Sequence, residues 1–228
     1  MVANKGEYIE PTFYTKVEDA SGTVILEAKQ ETKRVMTEAN AYILSSILKS
    51  PVSGGTAYLC AMSGMDVAAK TGTTNEKKDR WLCGFTPYYA AATWFGYDVP
   101  ERVSMPMDNP AMTIWAAVMK DVHEDLDGER FEKPKNIVTA KICMDSGRAA
   151  TDECTRTYTE EFVSGTVPGK CDGHKKVEVC KETGKLATEY CPETEEKTYL
   201  STPEKEVNPS WKTNAGKKYE EIKDTCTK

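Results

Sequence analysis

Three β-prone runs, residues 67–74, 81–86 and 90–97, succeed one another with only a few turn-forming residues between them. The first connection is Asn75-Glu76-Lys77-Lys78 and the second is built on Pro87-Tyr88-Tyr89. Connections this short make an antiparallel meander. The near-continuous apolar content of the runs predicts burial on both faces, as in a sheet layered between helices. The first run carries Lys70-Thr71-Gly72-Thr73-Thr74, a cation and three hydroxyls around a residue with no side chain. Side chains alternate along a strand, so Thr71 and Thr73 share a face, where two hydroxyls can grip a carboxylate. The Thr73 N–H can point at a developing oxyanion, a donor worth roughly 2.7–4 kcal/mol to an acyl-transfer transition state. Gly72 allows close approach of a ligand, and Lys70 supplies a positive field for an anionic terminus.

Upstream, Thr12-Phe13-Tyr14-Thr15-Lys16-Val17 and Thr23-Val24-Ile25-Leu26 flank the turn cluster Asp19-Ala20-Ser21-Gly22 and predict a hairpin. Residues 37–48 predict a helix with apolar positions Ala41, Ile43, Leu44, Ile47 and Leu48, stopped by Pro51 and Gly54-Gly55. Asp108-Asn109-Pro110 marks a second helix start. Ile114, Trp115, Val118, Met119 and Val122 recur at helical spacing and predict its buried face. The charged segment 125–135, with Gly128 and Pro134, is the expected boundary between a domain of residues 1–130 and the remainder of the chain.

Beyond the boundary the chain repeats itself. Cys143-Met-Asp-Ser-Gly147-Arg-Ala-Ala-Thr151-Asp-Glu-Cys154 recurs as Cys180-Lys-Glu-Thr-Gly184-Lys-Leu-Ala-Thr188-Glu-Tyr-Cys191 at an offset of 37 residues, each copy preceded by a short β-like run. Residues 131–200 form this twin-cysteine extension, and residues 201–228 read as a polar tail. Spacing of ten residues between cysteines is not the close pairing typical of zinc ligands. It predicts disulfides Cys143–Cys154 and Cys180–Cys191, with Cys171–Cys226 a weaker third pair, and no metal. Cys171-Asp172-Gly173-His174 raises the question of zinc without changing that expectation. Cys60 and Cys83 are expected as buried thiols.

The net charge of −6 with interspersed Lys and Asp/Glu argues against a nucleic-acid partner. No run approaches the roughly 18 apolar residues of a membrane span, and the N-terminus has no charged-then-apolar signal pattern. Eight cysteines point to an oxidising compartment. A chain with extracellular character and no export signal is expected to be a piece of a longer one.

Residues 68–75, Asp79-Arg80-Trp81-Leu82-Cys83-Gly84-Phe85-Thr86-Pro87-Tyr88-Tyr89 and Trp94-Phe95-Gly96-Tyr97-Asp98 together resemble the transpeptidase domain of penicillin-binding proteins. The likeness is closest to the bifunctional class A kind of Gram-positive anaerobes. Ala3-Asn4-Lys5-Gly6 and the hairpin extend it over residues 1 to about 126. The resemblance implies an α+β fold, the C-terminal part of a penicillin-binding/β-lactamase-like transpeptidase, with a small β-rich, disulfide-stapled extension after it. It implies that Lys70 and Thr73 are catalytic and that Thr71, Gly72 and Thr74 bind the carboxylate of a D-alanyl-D-alanine stem peptide or a β-lactam. It further implies no cofactor, and a parent held at the outer face of the cell membrane.

That family also needs a Ser-x-x-Lys nucleophile and a Ser-x-Asn relay. Ser46-Ile47-Leu48-Lys49 matches the first literally, but it lies only 24 positions before Lys70, and no Ser-x-Asn occurs in the chain. Ser46 and Lys49 are therefore expected on the solvent side of an amphipathic helix, and this span alone is expected to be inactive. A His-based triad is disfavoured, because the chain holds only His123 and His174. His123 near a helix C-terminus has a sufficient structural role. The alternatives are a secreted cell-wall or partner-binding module built on the cysteine repeat, and a serine β-lactamase relative.

Overall fold

Short-range signals decide the local structure of the N-terminal half. The computed structural model describes residues 1–104, 109–201, 222 and 224–227. Strand β1 (Glu7–Ile9) pairs antiparallel with β4 (Thr32–Arg34), and between them β2 (Lys16–Glu18) and β3 (Val24–Glu27) form the predicted hairpin. Its turn is fixed by the Asp19 carboxylate, which accepts from the Ser21 and Thr23 N–H groups, and by Gly22 at φ 84°.

Helix α1 (Glu38–Gly54) begins where Thr37 caps the Asn40 N–H. It runs through Pro51, which was expected to stop it. Proline removes one N–H from the ladder, but the Pro51 carbonyl still accepts from Gly55 and Ala57, and Val52 anchors the last turn in the core. The buried positions are Ala39, Ala41, Ser45 and Val52, while Leu44 and Ile47 are exposed.

The predicted meander is present as β5 (Ala68–Thr73), β6 (Arg80–Phe85) and β7 (Ala90–Phe95), in that order across an antiparallel sheet. Helix α2 (Pro110–Val122) starts at Asn109, whose side chain accepts from the Ala111 N–H and donates to the Trp81 carbonyl. Asp108, expected to share that start, and nearly all of the predicted polar tail lie outside the described residues. The buried stripe of α2 is Met112, Trp115, Ala116 and Met119, whereas Ile114, Val118 and Val122 are 42%, 51% and 48% exposed. Trp115 and Met119 of the expected stripe are thus buried, while its other three members face outward and Met112 and Ala116 take their place. Leu82, Met65, Val67 and Cys60 complete the core between α2 and the sheet face it covers.

Expected burial of both sheet faces is corrected by the structure. Register pairs Leu82 with Thr71 and Thr93, and Trp81 with Gly72 and Trp94, so alternation puts the two sets on opposite faces. The second face is covered at its Ala68–Phe85 end, where Phe131 stacks on Phe85 at 5.4 Å. Trp81, Cys83 and Trp94 on that face are exposed, so Cys83 is not the buried thiol expected. Cys60 is buried, and burial pushes its thiol up to about 11.

The first unit closes on a buried carboxylate. Asp66, 5% exposed, pairs with Lys49 of α1 at 2.8 Å and Arg130 at 3.0 Å, and accepts the Phe131 N–H at 3.1 Å. Burial alone would raise its carboxyl, but Lys49, the Phe131 N–H and Arg130 together hold it below the ordinary value. A depressed folded-state value contributes stability above the unfolded carboxylate range and loses it as pH falls through the folded value. Asp66→Asn should therefore lower the urea midpoint at neutral pH by the equivalent of about 1–3 kcal/mol. The two proteins should converge as the pH is taken below the range in which Asp66 titrates, and a constant gap down to acid pH would refute the assignment.

The contact pattern divides the chain at Asn136, a few residues past the expected boundary because Phe131 belongs to the first unit. In the second unit β8 (Ile137–Cys143) pairs with β9 (Thr157–Val163), and β10 (His174–Cys180) with β11 (Thr194–Leu200). Both hairpins keep the 37-residue offset of the sequence repeat. After each first strand a tight turn closes on Gly147 or Gly184, at φ 71° and 68°, the left-handed region that favours glycine. No helix among the described residues is long and apolar enough to cross a membrane.

Candidate active-site edge

Strand order makes β5 an edge of its three-stranded sheet. At the turn the Thr74 N–H donates to the Asp79 carbonyl at 3.2 Å. Hydrogen-bonding sense alternates along an antiparallel strand. Gly72 and Lys70 therefore face β6 with their backbone groups, and Thr73 and Thr71 turn theirs to the free edge. Lys70 Nζ donates to the Thr71 carbonyl at 2.9 Å, which brings the exposed ammonium to that same edge.

The remaining side chains hold this edge in shape. Thr71 Oγ1 lies 3.1 Å from Thr56 Oγ1, and Thr73 Oγ1 accepts from Arg80 at 3.4 Å. A Cβ at Gly72 would stand 3.0 Å from the Trp81 Cβ, so the glycine serves cross-strand packing. The Thr74 hydroxyl donates to Asp79 Oδ2 and accepts the Asp79 N–H, both at 2.9 Å, closing the β5–β6 turn. Trp94 Nε1 donates to the other Asp79 oxygen at 2.9 Å. The Trp94 indole first, and then the Thr74 hydroxyl, hold the Asp79 carboxyl below its ordinary value.

This edge offers outward N–H groups, two hydroxyls and one ammonium, which suits an extended anionic acyl peptide adding as a strand. Ser46-Ile47-Leu48-Lys49 lies on α1, away from the β5 edge in sequence and tied to the core through Lys49. Lys49 pairs with the buried Asp66 carboxylate at 2.8 Å while its side chain stays 40% exposed, so the expected solvent-side position also carries a structural ion pair. A cavity of about 220 Å³ elsewhere in the unit is lined by Lys5, Tyr42, Ser45, Arg130 and Phe131 among others, and by none of residues 70–74. His123 is buried at the end of α2, with Nδ1 2.6 Å from the Met119 carbonyl and Nε2 2.8 Å from the Thr86 hydroxyl. Both contacts are structural.

An antiparallel sheet backed by α2 and edged by Lys-Thr-Gly is thus the architecture of the first unit. Residues 1–122 match the penicillin binding protein transpeptidase domain, and residues 133–176 and 170–201 each match the penicillin-binding protein 1A C-terminal domain. The chain belongs to the penicillin-binding protein transpeptidase family. It is 38% identical over 176 residues to penicillin-binding protein 1A of Clostridium botulinum, covering 74% of this chain and 21% of that protein. It is 41% identical over 171 residues to penicillin-binding protein 1A of Clostridium acetobutylicum, covering 75% and 19%. Among solved structures, penicillin-binding protein 1A from Haemophilus influenzae superposes with a TM-score of 0.62 at 25% identity, over 73% of this chain and 31% of that one. The chain thus spans about a fifth of the length of the curated relatives it matches. A stand-alone module built on the repeat is not favoured, because both units carry matches to penicillin-binding proteins.

The cysteines depart from expectation. All eight are free thiols, and none of the three expected disulfides is formed. Instead Cys143, Cys154, Cys171 and His174 converge, as do Cys180, Cys191 and Cys226. Cys171 and Cys226 are not partners but equivalents. The Cys171 N–H donates to Ala149 at 2.7 Å and the Cys226 N–H to Leu186 at 2.8 Å, and Ala149 and Leu186 are 37 residues apart.

Proposed function

We propose that this chain supplies the Lys-Thr-Gly wall of a D-Ala-D-Ala transpeptidase that cross-links peptidoglycan. The observation that carries the reading is the outward N–H of Thr73 beside Lys70 on the free edge of β5, in a member of the transpeptidase family. The serine of the parent attacks the penultimate D-alanine carbonyl, the last D-alanine leaves, and the acyl group passes to an amine. Thr73 N–H stabilises the oxyanion, and Lys70 with the Thr71 and Thr73 hydroxyls receives the substrate carboxylate. Gly72 keeps the strand close to its neighbour, and Thr74 fixes the turn that holds Thr73 in place. Stem peptides and β-lactams are the ligands, at the outer face of a membrane to which the parent is anchored.

Residues outside this span provide the nucleophile and its relay. Two observations support that division: Lys49 is engaged by Asp66, and the chain contains no Ser-x-Asn. The 228-residue chain alone should form no covalent adduct with a fluorescent penicillin on a denaturing gel. A longer chain that includes an upstream Ser-x-x-Lys should label. An adduct on Ser46 would overturn the division.

A further inference from the structure

We propose that the end of β8, the turn before β9 and the segment leading into β10 form a tetrahedral zinc site, with Cys143, Cys154, Cys171 and His174 as its four ligands. Their donor atoms all lie within 4.8 Å of one another. His174 Nδ1 stands 3.6 Å from both Cys143 Sγ and Cys171 Sγ. Bonds of about 2.3 Å to sulfur and 2.0 Å to nitrogen give a tetrahedron whose S···N edges are about 3.5 Å. The spacing is therefore that of ligands around one ion.

The surroundings point the same way. Asp145 is 1% exposed, and neither of its carboxylate oxygens makes a hydrogen bond. Arg156 approaches one of them at 3.6 Å. The other lies 3.2 Å from His174 Nε2, the nitrogen opposite the one aimed at the sulfurs. Metal-ligating histidines commonly present their second nitrogen to a carboxylate, which fixes the tautomer and ring orientation. A metal on Nδ1 would leave the proton on Nε2, the nitrogen that faces Asp145. Donors also point at the sulfurs, Ser146 Oγ to Cys171 at 3.2 Å and the Thr151 N–H to Cys154 at 3.4 Å. Such donors are placed to hydrogen-bond metal-bound sulfur.

The second hairpin reproduces the arrangement. Thr183 donates to Cys226 at 3.5 Å and the Thr188 N–H to Cys191 at 3.3 Å, around three thiols among the described residues. The unit also needs a cross-link. Apart from four cysteines, its buried apolar residues among those described are Ile137, Ile142, Val179 and Leu200. A core that small is commonly supplemented by metal or disulfide. Four donors with no open position make the site structural rather than catalytic.

The test uses the 228-residue chain, reduced and stripped of metal. Added Co2+ should produce the intense visible absorption of tetrahedral thiolate-bound cobalt, and Zn2+ should displace it. In a Cys180→Ser/Cys191→Ser background, where the second cluster is broken, one Zn2+ per chain should survive dialysis. Asp145→Asn in that background should weaken zinc affinity by about 10–100-fold without removing the cobalt band. Absence of both retained zinc and the cobalt band, in wild type as well as the double variant, with all thiols still titratable, would overturn the proposal. Unchanged affinity in Asp145→Asn would overturn the part assigned to Asp145.

Discussion

Thr73→Pro, made in a chain long enough to carry the serine nucleophile, should slow acylation by a fluorescent penicillin about 10²–10³-fold, the usual cost of losing one oxyanion donor. Proline removes a backbone N–H and fixes φ. In the middle of a sheet the lost N–H would break the ladder. Thr73 sits on an edge strand with its N–H turned outward, where proline is tolerated. The substitution therefore separates catalysis from folding. Thr73→Ala is the companion measurement: it keeps the N–H and loses only the hydroxyl, so its acylation rate should fall less. A Thr73→Pro protein that acylates at the wild-type rate would show that the oxyanion is held elsewhere.

The meander is legible in the sequence because its signals are local. Turn residues at 75–78 and 87–89 sit between β-prone runs, and the observed strand bounds lie within a residue or two of expectation. The free edge is not legible, since which strand lacks a neighbour is a matter of topology rather than of composition. The candidate residues can therefore be found by type, while their outward N–H groups require the register of β5 against β6. Both helices are also marked in the sequence, yet only part of each expected apolar set is buried, Trp115 and Met119 in α2 and Ala41 in α1. Each helix carries apolar residues on two sides, and sequence alone does not say which side meets the sheet.

The cysteines show the same limit in sharper form. Counting residues between Cys143 and Cys154 favours a disulfide, because zinc ligands usually come in close pairs. The close pair is present, as Cys171 and His174, with only Asp172 and Gly173 between them. Its partners are 17 and 28 positions upstream of Cys171, delivered by the turn region before β9 and by the end of β8. The 37-residue repeat hides this relation, since it presents two matched cysteine pairs and leaves Cys171 and Cys226 looking like spare partners for each other. Folding makes them equivalents, one for each hairpin.

Trp115→Ala should destabilise the first unit by about 3–5 kcal/mol, read as a lower urea midpoint by circular dichroism. Trp115 is 1% exposed and sits against the sheet so closely that a Cβ at Gly84 would come within 2.8 Å of its ring. Its truncation leaves a cavity over β6 and strips the Ala91 carbonyl of the indole N–H that donates to it at 3.0 Å. The unpaired carbonyl alone costs about 1–3 kcal/mol if water does not reach it. Ile114→Ala is the matched control, one residue away on the same helix and part of the stripe read from the sequence. At 42% exposure, Ile114 should change stability by no more than about 0.5 kcal/mol when truncated in this chain. Equal losses at the two positions would mean that Ile114 is packed as tightly as Trp115, and the outward placement of Ile114 would be wrong. In a longer chain that includes the upstream part of a transpeptidase domain the comparison gains a second use. A larger penalty at Ile114 there than in this chain would show that another segment of the transpeptidase covers the outer face of α2.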